Sequence, residues 1–201
     1  MKINNKKLIS DIKNNKFISI NLGSGNENLN NYYNFDINDY ENTDAVCDLN
    51  ENLDQIPDNI VEKIYSNQTL EHITNLDGLM KELVRISVNN AEYTLIVPHF
   101  SNPYYYSDPT HVRQFGLFTM HYFIDSKQQW RRKVPSYSLI KEFYLDDVNI
   151  LFYRDTILEH IFNPFIEKFV NLNRFTQHFF EKRLCWIYPS ANIKYIIKIK
   201  K

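Results

Sequence analysis

Four side chains stand out for the chemistry they could do: His72, His99, Asp108 and His111. Imidazole gives or takes a proton near neutral pH, so each histidine is a candidate general base. His99, Asp108 and His111 also form a set of two imidazoles and one carboxylate, which a divalent metal could use. Their spacing is irregular and lies in a loop, so no metal is expected. Arg113 closes the run Asp108-Pro109-Thr110-His111-Val112-Arg113. It could clamp a phosphate or carboxylate with two parallel N–H groups, or simply pair with Asp108. His72, inside Leu70-Glu71-His72-Ile73, also reads as a structural histidine, with Glu71 capping or orienting its neighbours.

A second constellation lies earlier. The chain has four glycines, and Gly23 and Gly25 stand one residue apart directly after an apolar run. Glycine allows positive φ and close approach of a ligand to the main chain. A strand, a glycine turn and then an acid, Asp36, at the next strand end suggest a nucleoside cofactor. A ribose diol offers two donors, and an ionised carboxylate only accepts. NAD is disfavoured: Asn28 holds the third position of the glycine fingerprint, and Asp36 follows Gly25 by 11 residues where about 20 are usual. No phosphate loop with Gly-Lys-Ser/Thr is present. Ser24 lacks the G-x-S-x-G elbow, so serine hydrolysis has little support.

These residues need elements to hold them. The residues at 17–22, 32–37, 44–49, 61–66 and 92–98 read as short strands, and 76–86 has the apolar period of a helix. Residues 3–15 suit a short amphipathic helix. Strands alternating with helices or loops signal an open α/β sheet. Each of the first four strands ends in polar residues: Gly23, Asp36, Asp48 and Asn67. Ligands bind beyond the carboxyl ends of such strands. Residues 99–135 read as a partly helical insertion over the site. Residues 139–153 read as a helix end and a strand, 161–180 as helical, and 184–189 and 192–200 as late strands.

Bulk composition narrows the classes. The apolar fraction of 43% and 15% aromatic residues predict a packed core. Net charge is −1, but the first hundred residues carry 8 Lys/Arg against 15 Asp/Glu and the remainder 15 against 9. The basic half either binds an anion or is a solvated surface; the same choice applies to Arg131-Arg132-Lys133. Two cysteines, Cys47 and Cys185, make no disulfide framework or metal motif. The polar start is no signal peptide, and no apolar run spans a membrane. A cytoplasmic location is expected.

The ordered set N-L-G-S-G (21–25), F-D-I-N (35–38), D-L-N (48–50), S-N-Q-T-L-E-H-I (66–73), L-M-K-E-L-x-R-I (79–86) and T-L-I-V-P-H-F (94–100) resembles the class I S-adenosylmethionine-dependent methyltransferases. The likeness is to the small-molecule, type 11-like branch and covers residues 17–115. It implies a Rossmann-like three-layer α/β sandwich with a mostly parallel seven-stranded sheet and an antiparallel late strand. The implied layout is a single domain: a cofactor half at 1–98, an acceptor insertion at 99–135, and closing strands and helix at 136–201. The resemblance implies S-adenosylmethionine as cofactor. Asn21, Gly23, Ser24 and Gly25 would line its methionine portion, Asp36 its ribose, and Ile37, Asp48 and Leu49 its adenine. Asn67, Gln68 and Leu70 would floor the site near the sulfonium.

There are departures from that pattern. Asn21 replaces a frequent acid, the helix after the glycine turn is short, and Asn89-Asn90-Ala91 replaces a Pro-Gly-Gly turn. Asn tolerates the unusual φ such a turn needs. D-x-T-H-x-R-x-F, over 108–115, also resembles the subgroup and implies an acceptor site with Tyr104, Tyr105 and Arg113. The implied acceptor is a small polar, anionic metabolite such as a nucleotide-sugar, phosphate derivative or surface-polysaccharide precursor. O-methylation is favoured by the histidines, since a hydroxyl needs a base. A cofactor-binding module without turnover is the alternative. Asn102-Pro103-Tyr104-Tyr105 resembles the N-P-P-Y of base-modifying enzymes, but it follows the fifth strand and lacks the second proline. Neither a nucleic-acid nor a membrane partner is expected, and the oligomeric state stays open.

Overall fold

The computed structural model describes residues 1–135 and 137–201; the expected boundary at residue 136 lies outside them. The chain runs β1 (Lys2–Ile3), α1 (Lys6–Lys13), β2 (Ile18–Leu22), β3 (Tyr33–Asp36), β4 (Ala45–Val46), β5 (Val61–Asn67), α2 (Leu76–Ile86), β6 (Ser87–Pro98), β7 (Phe143–Leu151), α3 (Ile157–Val170), α4 (Arg174–Arg183) and β8 (Asn192–Ile199). One eight-stranded sheet has the order β1-β4-β3-β2-β5-β6-β8-β7. β4, β3, β2, β5 and β6 pair parallel, while β8 inserts antiparallel between β6 and β7.

The sheet is therefore mostly parallel with an antiparallel late strand, of the Rossmann-like class. It has eight strands where seven were expected. The extra member, β1, is two residues pairing antiparallel with β4, too short to leave an alternating pattern. β2 is central and buried along its whole length, as parallel strands covered on both faces must be. Its neighbours β3 and β5 lead the chain to opposite sides, so its carboxyl end is the switch point where ligands bind in such sheets.

Several expectations need correction. No helix follows the glycine turn: residues 23–32 are turns and irregular chain, as are 37–44 and 47–60. Residues 184–189 are turns, not a strand; Trp186 and Ile187 are exposed there, so the apolar run has no sheet to enter. Residues 161–180 divide into α3 and α4 between the capping residues Asn171 and Asn173. β6 starts at once after α2, and its register against β5 jumps from Val61↔Ser87 to Lys63↔Glu92. Asn90 sits in that bulge with φ +65°, the left-handed conformation Asn tolerates best after Gly.

α2 is locked from its polar side. Glu82 accepts from Leu53 N (2.8 Å) and from Arg85 Nη2 (2.6 Å), and Arg85 Nη1 reaches Asp58 (2.5 Å). No helix among the described residues is long and apolar enough to cross a membrane.

Candidate functional site

Gly23 closes β2 with φ +63°, and a Cβ there would stand 2.2 Å from Thr69 Oγ1. Only glycine fits. Gly25 also has positive φ, +51°, but open space lies where its Cβ would be. The turn is tied to β3. Gly23 N donates to Phe35 O and Gly25 N donates to Asp36 Oδ2, both at 2.8 Å. Asp36 Oδ1 accepts from Asn38 N at 2.8 Å. A carboxylate has about four lone-pair positions, so Asp36 faces the glycine turn with acceptor capacity remaining. Ile37 beside it is 64% exposed, an apolar side chain open to a flat partner. Asn21 and Ser24 are buried beneath the turn. Asn21 Nδ2 donates to Asn34 Oδ1 (3.1 Å), while Asn21 Oδ1 and Ser24 Oγ have no hydrogen-bond partner among the described residues. Buried polar atoms are nearly always paired in folded proteins, so two orphans at one turn suit a polar ligand.

Around this turn the expected wall is only partly present. Asp48 follows β4 and folds the chain onto itself, accepting from Asn50 N and Nδ2. Asn50 Oδ1 then accepts from Thr74 N, Thr74 Oγ1 and Asn75 N, joining the two strand-end loops. Leu49 and Leu70 belong to the hydrophobic core; Leu70 is fully buried and supports the site from below without offering it a surface. Gln68 adopts φ +55° and donates from Nε2 to Asn192 Oδ1 at 2.8 Å. Its side chain bridges to β8 and does not floor the crevice. Asn67 ends β5, half-buried, and its carbonyl accepts from Thr69 Oγ1.

Beyond β5 the short 3-10 turn Leu70–His72 brings together what the sequence left apart. Thr110 Oγ1 donates to Asp108 Oδ1 at 2.6 Å and lies 2.9 Å from His72 Nδ1. The Thr110 hydroxyl and the Thr110 N–H, which donates to the same oxygen at 2.8 Å, hold the Asp108 carboxyl below its usual range, so at neutral pH it is ionised. The single hydroxyl proton therefore goes to Asp108, and His72 Nδ1 must be the N–H donor to Thr110. His111 Nδ1 faces Tyr105 O at 2.8 Å, an acceptor only, so it too carries the proton. Both histidines thus present a bare Nε2 when neutral. The rings lie 4.8 Å apart, and His111 stacks on Tyr105 at 4.7 Å.

Glu71 is fully buried beside them, with neither carboxylate oxygen hydrogen-bonded. Its Oε1 is 3.9 Å from His111 Nε2, and Asp108 Oδ2 is 3.8 Å from the same nitrogen. Burial pushes the Glu71 carboxyl up to about 7, and the charge of Asp108 adds to this.

The remaining candidates fall elsewhere. His99 is fully buried; its Nδ1 meets Ser101 Oγ at 2.8 Å and its Nε2 meets Glu181 at 3.3 Å. It ties β6 to α4 and is not a base for this site. His99, turned to Ser101 and Glu181, does not join Asp108 and His111 in one ligand set. Arg113 Nη2 donates to the carbonyls of Ile73 and Thr74, and Val112 N donates to Glu71 O at 2.9 Å. Through Nη2, Arg113 straps the insertion onto the 3-10 turn, while its buried Nε has no hydrogen-bond partner among the described residues. Tyr105 is buried under His111, whereas Tyr104 is exposed and packs edge-on against Tyr153 at 5.8 Å. Glu71 and Thr110 gain weight from this geometry. The sequence marked Glu71 only as an orienting residue, and its signal was an acid next to His72 in an otherwise apolar turn. Cys47 and Cys185 are free, buried thiols; burial raises the pKa of both, so both are unreactive.

No protein-family model matches this chain, and no curated protein matches its sequence. Solved structures do match in fold. A SAM-dependent methyltransferase from Archaeoglobus fulgidus superposes with TM-score 0.55 at 15% identity, over 96% of this chain and 90% of that one. An S-adenosylmethionine-dependent methyltransferase from Mesorhizobium loti gives 0.51 at 9%, over 90% of each chain. Phosphoethanolamine N-methyltransferase 2 of Haemonchus contortus, in complex with S-adenosyl-L-methionine, gives 0.52 at 11%, over 99% of this chain and 53% of that one. The fold is that of the class I S-adenosylmethionine-dependent methyltransferases.

Proposed function

We propose that this protein is an S-adenosylmethionine-dependent methyltransferase acting on a small polar, anionic metabolite, with a hydroxyl oxygen as the favoured target. The observation that carries the reading is the pairing of the glycine turn with Asp36 at the switch point of the sheet. The Gly25-to-Asp36 bond fixes an acceptor-only carboxylate beside open main chain. The unpartnered Asn21 Oδ1 and Ser24 Oγ and the exposed Ile37 fit the polar and flat parts of an adenosine-amino acid cofactor. When bound, the cofactor supplies an electrophilic methyl group with a good neutral leaving group. The chain's own task is then proximity, alignment and, for a hydroxyl, proton removal.

His72 and His111 take the base role in this reading, each with a bare Nε2 and an Nδ1 proton fixed by Thr110 or Tyr105. Asp108 orients His72 through Thr110. The insertion, tied to residues 71–74 by Arg113 and Val112, supplies the acceptor side in this reading, with Tyr104 as one of its exposed aromatics. A small anionic acceptor is supported by the basic second half of the chain and by a neighbour named for phosphoethanolamine. A cytoplasmic setting agrees with two free thiols.

The test is thermal stabilisation by S-adenosylmethionine and S-adenosylhomocysteine, followed by labelled-methyl transfer to fractionated small metabolites. Stabilisation by both ligands and label in an anionic fraction are expected. No stabilisation by either ligand would falsify the cofactor assignment, and stabilisation without transfer to any fraction would leave a binding module.

A further inference from the structure

From the arrangement of Glu71, His72 and His111 we infer a divalent metal site at the carboxyl end of β5. One ligand atom from each of the three lies within 4.8 Å of the others. Each participant is prepared in a way that proton transfer alone does not require. Metal-binding imidazoles characteristically donate their second N–H to a carboxylate, carbonyl or other acceptor, which fixes the tautomer. His72 does this through Thr110 and on to Asp108, and His111 does it to the carbonyl of Tyr105.

The electrostatics point the same way. Glu71 is fully buried with both oxygens unpartnered. The lone pair of His111 Nε2 lies 3.9 Å from Glu71 Oε1 and 3.8 Å from Asp108 Oδ2. These separations exceed the usual 2.7–3.2 Å of an N–H···O bond. The Glu71–His111 separation suits two atoms sharing one ion, since ligands about 2.1 Å from a metal stand about 3–4 Å apart. A buried carboxylate is costly unless paired or bound to a metal, and among the described residues no Lys or Arg forms an ion pair with Glu71.

Two imidazoles and one carboxylate suit a borderline first-row ion, Mn²⁺, Fe²⁺, Co²⁺ or Zn²⁺, over Mg²⁺, which prefers oxygen. Three protein ligands leave coordination positions open. Such an ion would occupy the Nε2 lone pairs of His72 and His111, so with the ion bound it, and not those imidazoles, would activate an acceptor hydroxyl held on it; that role rests on the methyl-transfer reading, whereas the ion site itself does not.

The test is a titration of the metal-stripped full chain with CoCl₂, following visible d–d absorption, with CD to confirm folding. The expected result is saturation at one equivalent. Glu71→Gln and His111→Ala should each weaken binding at least tenfold. Thr110→Val, which removes the partner of His72 Nδ1 and its link to Asp108 but no ligand atom, should weaken it about tenfold. S-adenosylhomocysteine should still stabilise these variants, so loss of the metal site and failure of the cofactor reading remain separate results. Absence of a stoichiometric Co²⁺ band in the wild type overturns the site. So does binding unchanged in the folded Thr110→Val variant together with either ligand variant.

Discussion

Gly23 and Gly25 share a sign of φ but not a surrounding, and that difference separates stability from binding. A methyl at Gly23 would collide with Thr69 Oγ1 at 2.2 Å and Cγ2 at 2.4 Å, in a conformation already costly for an L-residue. Gly23→Ala should therefore lose about 3 kcal/mol or more, or about 6–12 °C in Tm for a chain of this size. At Gly25 nothing lies within 4 Å, and only the left-handed φ is at issue, about 1–2 kcal/mol. Gly25→Ala should stay folded yet lose most of the Tm increase given by S-adenosylhomocysteine, because its methyl enters the open face of the turn. Retention of the full ligand shift would place the cofactor elsewhere. Asp36→Asn keeps an acceptor oxygen but removes the charge. It should weaken cofactor affinity ten- to a hundredfold in calorimetry, the worth of one charge-assisted bond of about 1.5–3 kcal/mol; unchanged affinity would contradict the ribose assignment. The turn itself was legible from the apolar run, the glycine pair and the acid at the next strand end, because a local turn needs only local sequence; its assignment to S-adenosylmethionine came with the family resemblance. The Glu71–His72–His111 set was not legible. It exists because Arg113 and Val112 strap a distant loop onto residues 71–74, and no spacing rule encodes that contact.

Among the elements, α2 shows why some segments read cleanly. Its apolar positions Leu76, Leu79, Met80, Leu83 and Ile86 are all buried, so one pattern supplies both the helix and its orientation. β4 and the turns at 184–189 show the converse. β4 is two residues long, and DAVCDL reads as longer because its apolar residues serve the core outside any ladder. The segment at 184–189 looks like a strand by composition, but β8 already fills the place between β6 and β7. The polar lock on α2 carries a pH prediction. Hydrogen bonds from Arg85 depress the carboxyl of Glu82, and the Leu53 N–H lowers it further. A depressed acid stabilises the fold above its unfolded pKa of about 4.3, and that stabilisation is lost as pH falls through this value toward the folded one. Glu82→Gln should lower Tm at pH 7 and flatten the fall in Tm between about pH 5 and pH 3. Parallel Tm–pH curves for wild type and variant would show that the lock contributes no pH-dependent stability.

At the scale of the whole molecule, the least expected feature is the apolar surface of α3, α4 and the turns after them. Phe165, Phe169 and Phe175 are 72%, 69% and 63% exposed, and Ile187 is 79% exposed. An open groove of about 530 Å³ lies between the helices, walled by Ile166, Phe169, Phe175, Phe179 and Leu184. The two helices read as helical from sequence, but which face they bury depends on how they cross. They meet β7 and each other while turning much of their aromatic content outward. Scattered exposed apolar residues are ordinary, whereas a contiguous aromatic groove is not. The folded protein should therefore bind the dye ANS at neutral pH, with no denaturant present and with a cooperative thermal transition. That combination distinguishes a native groove from the fluctuating packing of a molten state. Phe169→Ser with Phe179→Ser should cut the dye fluorescence severalfold. Because both side chains are already more than half exposed, this pair should cost far less than the roughly 3–5 kcal/mol of a buried phenylalanine deletion. A native protein dark to ANS, or a double variant that unfolds, would mean that these rings pack against something of their own chain in solution.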